Sequence, residues 1–110
     1  MRVHLIKKQA IEEYIADHAA SKSSFEYWVT AVKYADWGQP VDIQQTFGTA
    51  DMLGNSSNRV VFDIGGNTYR MIYKYHFGIT KVRLFVCWIG THTEYDELCG
   101  RGDQYSVFDY

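Results

Sequence analysis

The stretch from residue 58 to residue 97 constrains the fold of this chain most, because runs of strand composition alternate with turn signals along it. Three runs are rich in β-branched and aromatic residues, which favour strands: 59–64, 69–77 and 81–89. Gly65-Gly66-Asn67 and Gly78-Ile79-Thr80 separate these runs and have the composition of tight turns. The pattern therefore predicts two consecutive hairpins and an antiparallel sheet core.

A capping box follows the third predicted strand. Thr91 and Glu94 have the spacing at which the threonine hydroxyl accepts the N3 N–H and the glutamate reaches back to the threonine N–H, so we predict that a helix begins at His92. The first turn of a helix attracts phosphate and disfavours imidazolium. Tyr95 and Asp96 share the helix face of His92. The pattern indicates either a neutral catalytic base at an anion site or a plain helix start whose Tyr95 packs on the sheet.

The first half of the chain reads as a strand, two helices and a connection. Residues 1–6 predict a short strand, and apolar residues at helical spacing predict a helix over 7–19. A second capping-box pattern, from Ser23 to Glu26, predicts a helix that runs to about residue 36. Residues 41–57 have no sustained period, so we interpret them as a connection with at most a short strand or turn at its start.

Basic residues concentrate in the predicted sheet. The net charge of the chain is −2, yet residues 59–83 carry five Lys or Arg and one Asp or Glu. Alternation along the second hairpin strand places the aromatic side chains on the face that should meet the helices. The basic side chains then lie on the other face, with two more from flanking strands if the register allows: Arg70, Lys74 and His76, with Arg59 and Arg83. This arrangement predicts a cationic concave surface for phosphate, or alternatively a solvated strand face.

Composition and cysteine usage set the class of protein. A chain of 110 residues with 46% hydrophobic content predicts one globular domain, 1–110, with a tail from about residue 99 that is either flexible or docked on an edge or partner. No apolar run is long enough for a membrane span or a signal peptide, so we expect a cytoplasmic protein. Cys87 and Cys99 lack the spacing of metal ligands, and no metal or other cofactor is expected.

The motif Val60-Val61-Phe62-Asp63-Ile64-Gly65-Gly66-Asn67-Thr68-Tyr69-Arg70, with Thr91-His92-Thr93-Glu94-Tyr95-Asp96 after it, resembles the HigB toxins of bacterial toxin–antitoxin modules. These toxins belong to the wider RelE/ParE-like group. The resemblance covers most of the chain and implies an α+β RelE-like fold, in which an N-terminal strand and two helices pack on a mainly antiparallel sheet with a short C-terminal helix. The tail after Leu98 lies outside the pattern.

The resemblance also implies a function. Its members are ribosome-dependent mRNA endoribonucleases that inhibit translation. The implied partners are mRNA on the ribosome and a HigA-type helix-turn-helix antitoxin. The toxin is expected to contact operator DNA only through this antitoxin. Metal-independent cleavage by 2′-OH attack needs a base, an acid and fixed cations on the phosphorane. We expect four residues to converge on one phosphate-sized site: His92 as base or acid, Tyr95 as its partner or orienting group, and Arg70 with Lys74 as phosphate clamps.

Three further residues are candidates for RNA or phosphate binding: Arg59, Arg83 and Asn67. Asn67 has an alternative role in its turn, as a residue that tolerates the left-handed conformation.

Two other functions remain open at this point. A ParE-like toxin with this fold binds gyrase without cleaving RNA, and a catalytically degenerate member only binds a partner or corepresses its own operon.

Overall fold

The computed structural model describes all 110 residues, and its centre is one mixed five-stranded sheet. The strands are β1 (Arg2–Ile6), β2 (Asp51–Met52), β3 (Arg59–Ile64), β4 (Tyr69–Phe77) and β5 (Lys81–Thr91). They lie in the order β1-β5-β4-β3-β2. The two predicted hairpins are confirmed, since β4 pairs antiparallel with both β3 and β5. β1 pairs with β5 in the parallel direction, so the sheet is mainly but not wholly antiparallel.

Four helices accompany the sheet: α1 (Gln9–Asp17), α2 (Lys22–Lys33), α3 (Val41–Thr46) and α4 (His92–Gly100). The predicted capping box at Ser23 is wrong. A 3₁₀ turn over Ala19–Ser21 leads directly into α2, and the N–H of Lys22 already donates to the Ala19 carbonyl. The helix also ends at Lys33, earlier than predicted, because Asp36 forms an isolated bridge with β1.

The segment 41–57 is more structured than its sequence predicts, since it contains α3 and β2. Pro40 is the N-cap residue of α3, and its ring fixes φ near the observed helical value of −54°. Asp42 Oδ2 accepts the N–H of Gly38 at 2.8 Å, and Ile43 is fully buried. A helix this short buries one anchoring residue, which is too little to produce a detectable period.

Helices α1 and α2 pack on the aromatic face of the sheet, as predicted. The Trp28 ring of α2 lies 5.1 Å from the Phe62 ring and 5.2 Å from the Tyr73 ring, measured between centroids. Val32, one turn further along α2, is buried in the same cluster. None of the helices has both the length and the apolar character that crossing a bilayer requires.

The opposite face of the sheet has its own apolar cluster, covered by α4 and the tail. The buried members of this second cluster are Val61, Ile72, Cys87, Trp88 and Leu98. Residues 103–110, which we call the strap, cross this face: the guanidinium of Arg59 donates to the carbonyls of Val107 at 2.6 Å and Gln104 at 3.3 Å. Of the two arrangements considered for the tail, the structure contains the docked one.

The end of the strap is hydrogen-bonded to β5 at a β-bulge. Ile72 pairs with Trp88 and Tyr73 with Val86, so Cys87 is the extra residue of a β-bulge. The Cys87 carbonyl accepts the N–H of Asp109 at 2.8 Å. The strap therefore spans the second face from the Arg59 position on β3 to β5.

Candidate active site at the start of helix α4

The predicted capping box at the start of α4 is confirmed. The Glu94 N–H donates to Thr91 Oγ1 at 3.2 Å, and the Glu94 carboxylate accepts the Thr91 N–H at 2.8 Å. The His92 N–H donates to the Thr68 carbonyl in the β3–β4 turn at 3.0 Å. The backbone of His92 is thus fixed by both the helix cap and the neighbouring hairpin.

The His92 side chain combines a shielded nitrogen with an exposed ring. Nδ1 is buried and lies 3.5 Å from Asp96 Oδ1, one helical turn away. The side chain as a whole is 41% exposed, which leaves Nε2 as the nitrogen available to an incoming group. Nδ1 makes no hydrogen bond to Asp96, so the carboxylate acts on the ring through its charge, which favours a proton on Nδ1 and leaves the free lone pair on Nε2.

Arg70 lies on the predicted face of β4, but its guanidinium is buried, with a side chain only 9% exposed. The expectation that Arg70 projects into solvent is therefore wrong. Nε forms an ion pair with Asp63 Oδ1 at 3.0 Å, Nη1 donates to the Tyr69 carbonyl at 3.1 Å, and Nη2 donates to the Asn67 side chain. Because a guanidinium has five N–H donors, two remain for a ligand.

Asn67 and Asp63 therefore hold Arg70 in place. In the β3–β4 turn the positive φ angles are at Gly65 (63°) and Gly66 (67°), not at Asn67, so the left-handed role considered for Asn67 is wrong. Asp63 was missed as a site residue, although it is the cross-strand partner of Arg70. The available signal was a lone carboxylate in an apolar strand, one hairpin turn before an arginine.

Tyr95 lies between this site and the second cluster. Its ring centroid is 6.0 Å from that of Trp88. Burial raises the pKa of the Tyr95 phenol well above its usual value, the neighbouring Cys99 adds to this, and the charge of Arg70 opposes it. The phenol is thus a protonated O–H donor at neutral pH.

The remaining basic candidates do not join this site. Lys74 is four residues from Arg70 on β4, which is roughly 13 Å along an extended strand, and it lines a separate groove. Lys74, His76 and Arg83 are at the other end of the sheet face. Arg59, the cross-strand partner of Lys74, is buried beneath the strap and is not part of an exposed cationic surface.

Comparison with known proteins places these observations in context. A family model described as HigB_toxin, a RelE-like toxic component of a toxin–antitoxin system, matches residues 21–98. The chain is also 28% identical over 96 residues to an mRNA interferase HigB from Escherichia coli O6:H1, an alignment that covers 87% of this chain and 91% of that protein. The region matched by the family model includes Arg70, His92 and Tyr95 and ends before the strap.

Proposed function

Because the chain belongs to the HigB toxin family, the RelE-like toxic components of toxin–antitoxin systems, we propose that it is an endoribonuclease that cleaves mRNA on the ribosome and so inhibits translation. The observation that carries the proposal is the fixed backbone of His92, whose exposed ring has Asp96 beside Nδ1, two residues after Gly90, the cross-strand partner of Arg70. The name of the E. coli relative, an mRNA interferase, supports the same reaction class.

The proposed reaction is an attack by the 2′-oxygen of a ribose on the adjacent phosphate. His92 Nε2 takes the 2′-OH proton, the O2′–P bond forms, and the P–O5′ bond breaks. The leaving 5′-oxygen takes its proton from the Tyr95 hydroxyl, which the burial of that phenol keeps protonated. The tyrosinate recovers a proton from the imidazolium through solvent. The products are a 2′,3′-cyclic phosphate and a 5′-hydroxyl, and no metal ion takes part.

Arg70 is proposed as the clamp on the phosphorane. Its two hydrogen bonds and its ion pair with Asp63 fix the guanidinium before substrate arrives, and a preorganised donor needs no reorganisation when negative charge develops on the phosphate oxygens. A planar fork with two remaining N–H groups matches two phosphate oxygens. Asp63 and Asn67 then act as positioning residues for this clamp.

The family also implies an antitoxin partner, and we propose a HigA-type helix-turn-helix protein that holds the toxin inactive and carries the complex to operator DNA. Expression of the toxin alone should arrest translation and growth, and coexpression of such an antitoxin should restore both. Unaffected growth after expression of the folded toxin alone would contradict this proposal.

The deciding experiment is a single-turnover cleavage assay on ribosome-bound mRNA in the presence of a chelator. His92→Gln keeps a polar side chain at the helix start, so we expect a folded protein whose cleavage rate falls by roughly 10²- to 10⁴-fold. His4→Gln, at an exposed position on β1, is the matched control and should cleave at the wild-type rate. Circular dichroism confirms the fold of both variants.

Three results would count against the proposal. If the folded His92→Gln variant cuts at the wild-type rate, His92 has no catalytic role and the start of α4 is only a helix cap. Loss of wild-type cleavage on addition of the chelator would refute the metal-independent scheme. Gyrase inhibition by a wild-type protein that cuts no mRNA would favour the ParE-like alternative.

A further inference from the structure

A second groove lies on the same sheet face, at the end away from α4. Its volume is about 650 Å³, and its walls are strands β4 and β5, the residue before β3, and the strap. The lining residues are Asn58, Lys74, Tyr75, His76, Arg83, Phe85 and Phe108. The groove thus combines basic side chains with aromatic rings outside the catalytic residues proposed above.

The basic side chains of this groove are free of internal partners. None of the four ion pairs and none of the side-chain hydrogen bonds of the structure involves Lys74, His76 or Arg83. His76 pairs across the strands with Arg83, and Lys74 with Phe85, so these four side chains share one face. Two cationic groups without a counter-charge favour an anionic ligand.

The basic groups also converge at a turn that leaves space for them. A Cβ placed on Gly78 would lie 3.6 Å from Arg83 Nη1 and 3.8 Å from the His76 ring. The Arg83 guanidinium and the His76 imidazole therefore both lie beside Gly78, which follows β4 at the start of the β4–β5 turn. Lys74 and Phe85 follow on the side towards the strap.

The strap presents Phe108 to this groove from a fixed backbone. The residue before it accepts a hydrogen bond from Arg59 at 2.6 Å, and the N–H of Asp109 after it donates to Cys87 at 2.8 Å. The Phe108 side chain nevertheless remains 54% exposed. An aromatic ring held at the surface beside cationic groups, with a half-buried Phe85 in the same groove, has the composition of a base-stacking site for single-stranded nucleic acid.

We propose that this groove is a second RNA subsite, which holds a nucleotide near the cleaved one on the same strand, with the base against Phe85 and Phe108 and the phosphate on Lys74 and Arg83. The inference rests on the proposed function. Lys74 is roughly 13 Å from Arg70 along β4 and lies on the same face, as a neighbouring nucleotide requires. Phe108 lies outside the region that the family model matches, so the strap adds this subsite to the toxin domain.

The test measures binding of a single-stranded 2′-O-methyl RNA of mixed sequence, which cannot be cleaved by 2′-OH attack, by fluorescence anisotropy over a range of salt concentrations. Phe108→Ala should weaken binding by roughly tenfold or more, as loss of one base-stacking ring does, and Phe108→Trp should retain it. Ile79→Ala removes a 99% exposed apolar side chain from the adjacent turn, outside the groove, and is the matched control. It should bind like the wild type.

The salt dependence of RNA affinity tests the phosphate contacts of Lys74 and Arg83. Lys74→Ala combined with Arg83→Ala should reduce the slope of log affinity against log salt by roughly 0.7 for each lost phosphate contact. The subsite is overturned if folded Phe108→Ala binds the RNA with wild-type affinity, or if the wild-type protein binds no RNA. Groove variants that weaken antitoxin binding while RNA binding is unchanged identify a protein as the occupant and overturn it as well.

The same variants separate this inference from the proposed function. RNA binding that depends on Phe108, in a protein that cleaves no mRNA, keeps the subsite and refutes the nuclease. Normal cleavage by a protein whose RNA affinity is unchanged by Phe108→Ala keeps the nuclease and refutes the subsite.

Discussion

Arg70 lies on the face of β4 that the sequence predicts, but its side chain is buried rather than exposed. Alternation along β4 predicts the face on which its side chain lies, but burial depends on what covers that face. The partners of Arg70 come from three places: Asp63 on the adjacent strand, the carbonyl of its own neighbour Tyr69, and the turn residue Asn67. The Asp63 contact follows from the cross-strand register, which strand composition alone does not set.

Arg70→Lys tests whether the fork geometry of the guanidinium matters beyond its charge. A lysine ammonium has three donors on one nitrogen and cannot replace the planar fork that contacts Asp63 and Asn67. We expect cleavage to fall by at least tenfold while RNA affinity falls less, if the clamp acts chiefly on the phosphorane. Single-turnover rates and anisotropy measure the two effects, and Arg2→Lys at an exposed β1 position is the control. Equal losses in rate and affinity would assign Arg70 to ground-state binding.

Gly90 is the residue at which a side chain would cause the greatest local conflict. A Cβ there would lie 2.4 Å from two atoms of the Trp88 ring, which covers the glycine. Gly90→Ala must displace Trp88, so we expect a loss of about 1–3 kcal/mol in the free energy of unfolding, as for other overpacked cores. Urea denaturation measures this loss. Gly48→Ala, where a Cβ meets nothing within 4 Å, is the control, and a wild-type midpoint in Gly90→Ala would contradict the predicted clash.

At the scale of elements, helix α4 depends on its capping box. Thr91→Ala removes the acceptor of the Glu94 N–H and should cost about 1 kcal/mol of stability. The same change should lower the cleavage rate, because His92 is held by this turn. Thr93→Ala, an exposed position in the same turn, should alter neither. Thermal denaturation and cleavage assays of the pair measure both effects, and identical behaviour of the two variants would contradict a role for the cap.

The elements that the sequence predicts correctly are those with local signals. Alternating composition and glycine turns identify the β3–β4–β5 hairpins, and the spacing of Thr91 and Glu94 identifies the start of α4. The missed elements, α3 and β2, are too short for a period and are held by single anchors such as Ile43. The docking of the strap could not be predicted either, because it needs the Cys87 bulge and the buried Arg59, which arise only when distant strands pair.

At the scale of the whole molecule, several of the nine tyrosines resist ionisation. Burial is the main cause that raises the pKa of Tyr14 to about 12, and it also raises the pKa of Tyr73, Tyr95 and Tyr110. In the unfolded chain these phenols lose their protons near the ordinary value of about 10. Above that pH the unfolded state therefore binds fewer protons than the folded state.

This difference predicts the alkaline stability of the protein. The free energy of unfolding should be unaffected by these phenols below pH 10 and should fall as the pH rises from 10 to about 12, the pKa of Tyr14. Urea midpoints across this range measure the fall. Tyr14→Phe should make it less steep, whereas Tyr27→Phe, at a 77% exposed position, should not. A midpoint that stays constant through this range would contradict the prediction.

The parallel pairing of β1 with β5 also affects when the proposed site of a newly made molecule is complete. Arg2 pairs with Lys81 and Ile6 with Phe85, so the first strand to be synthesised has no partner until most of the chain exists. At about 5–20 residues per second, the usual rate of synthesis, this wait lasts on the order of 4 to 16 seconds. Helix α4 follows β5 directly, and its first turn supplies His92. The proposed catalytic site is therefore incomplete while the chain is being translated, and under the proposed function the ribosome that makes the protein is protected from it until synthesis is nearly complete.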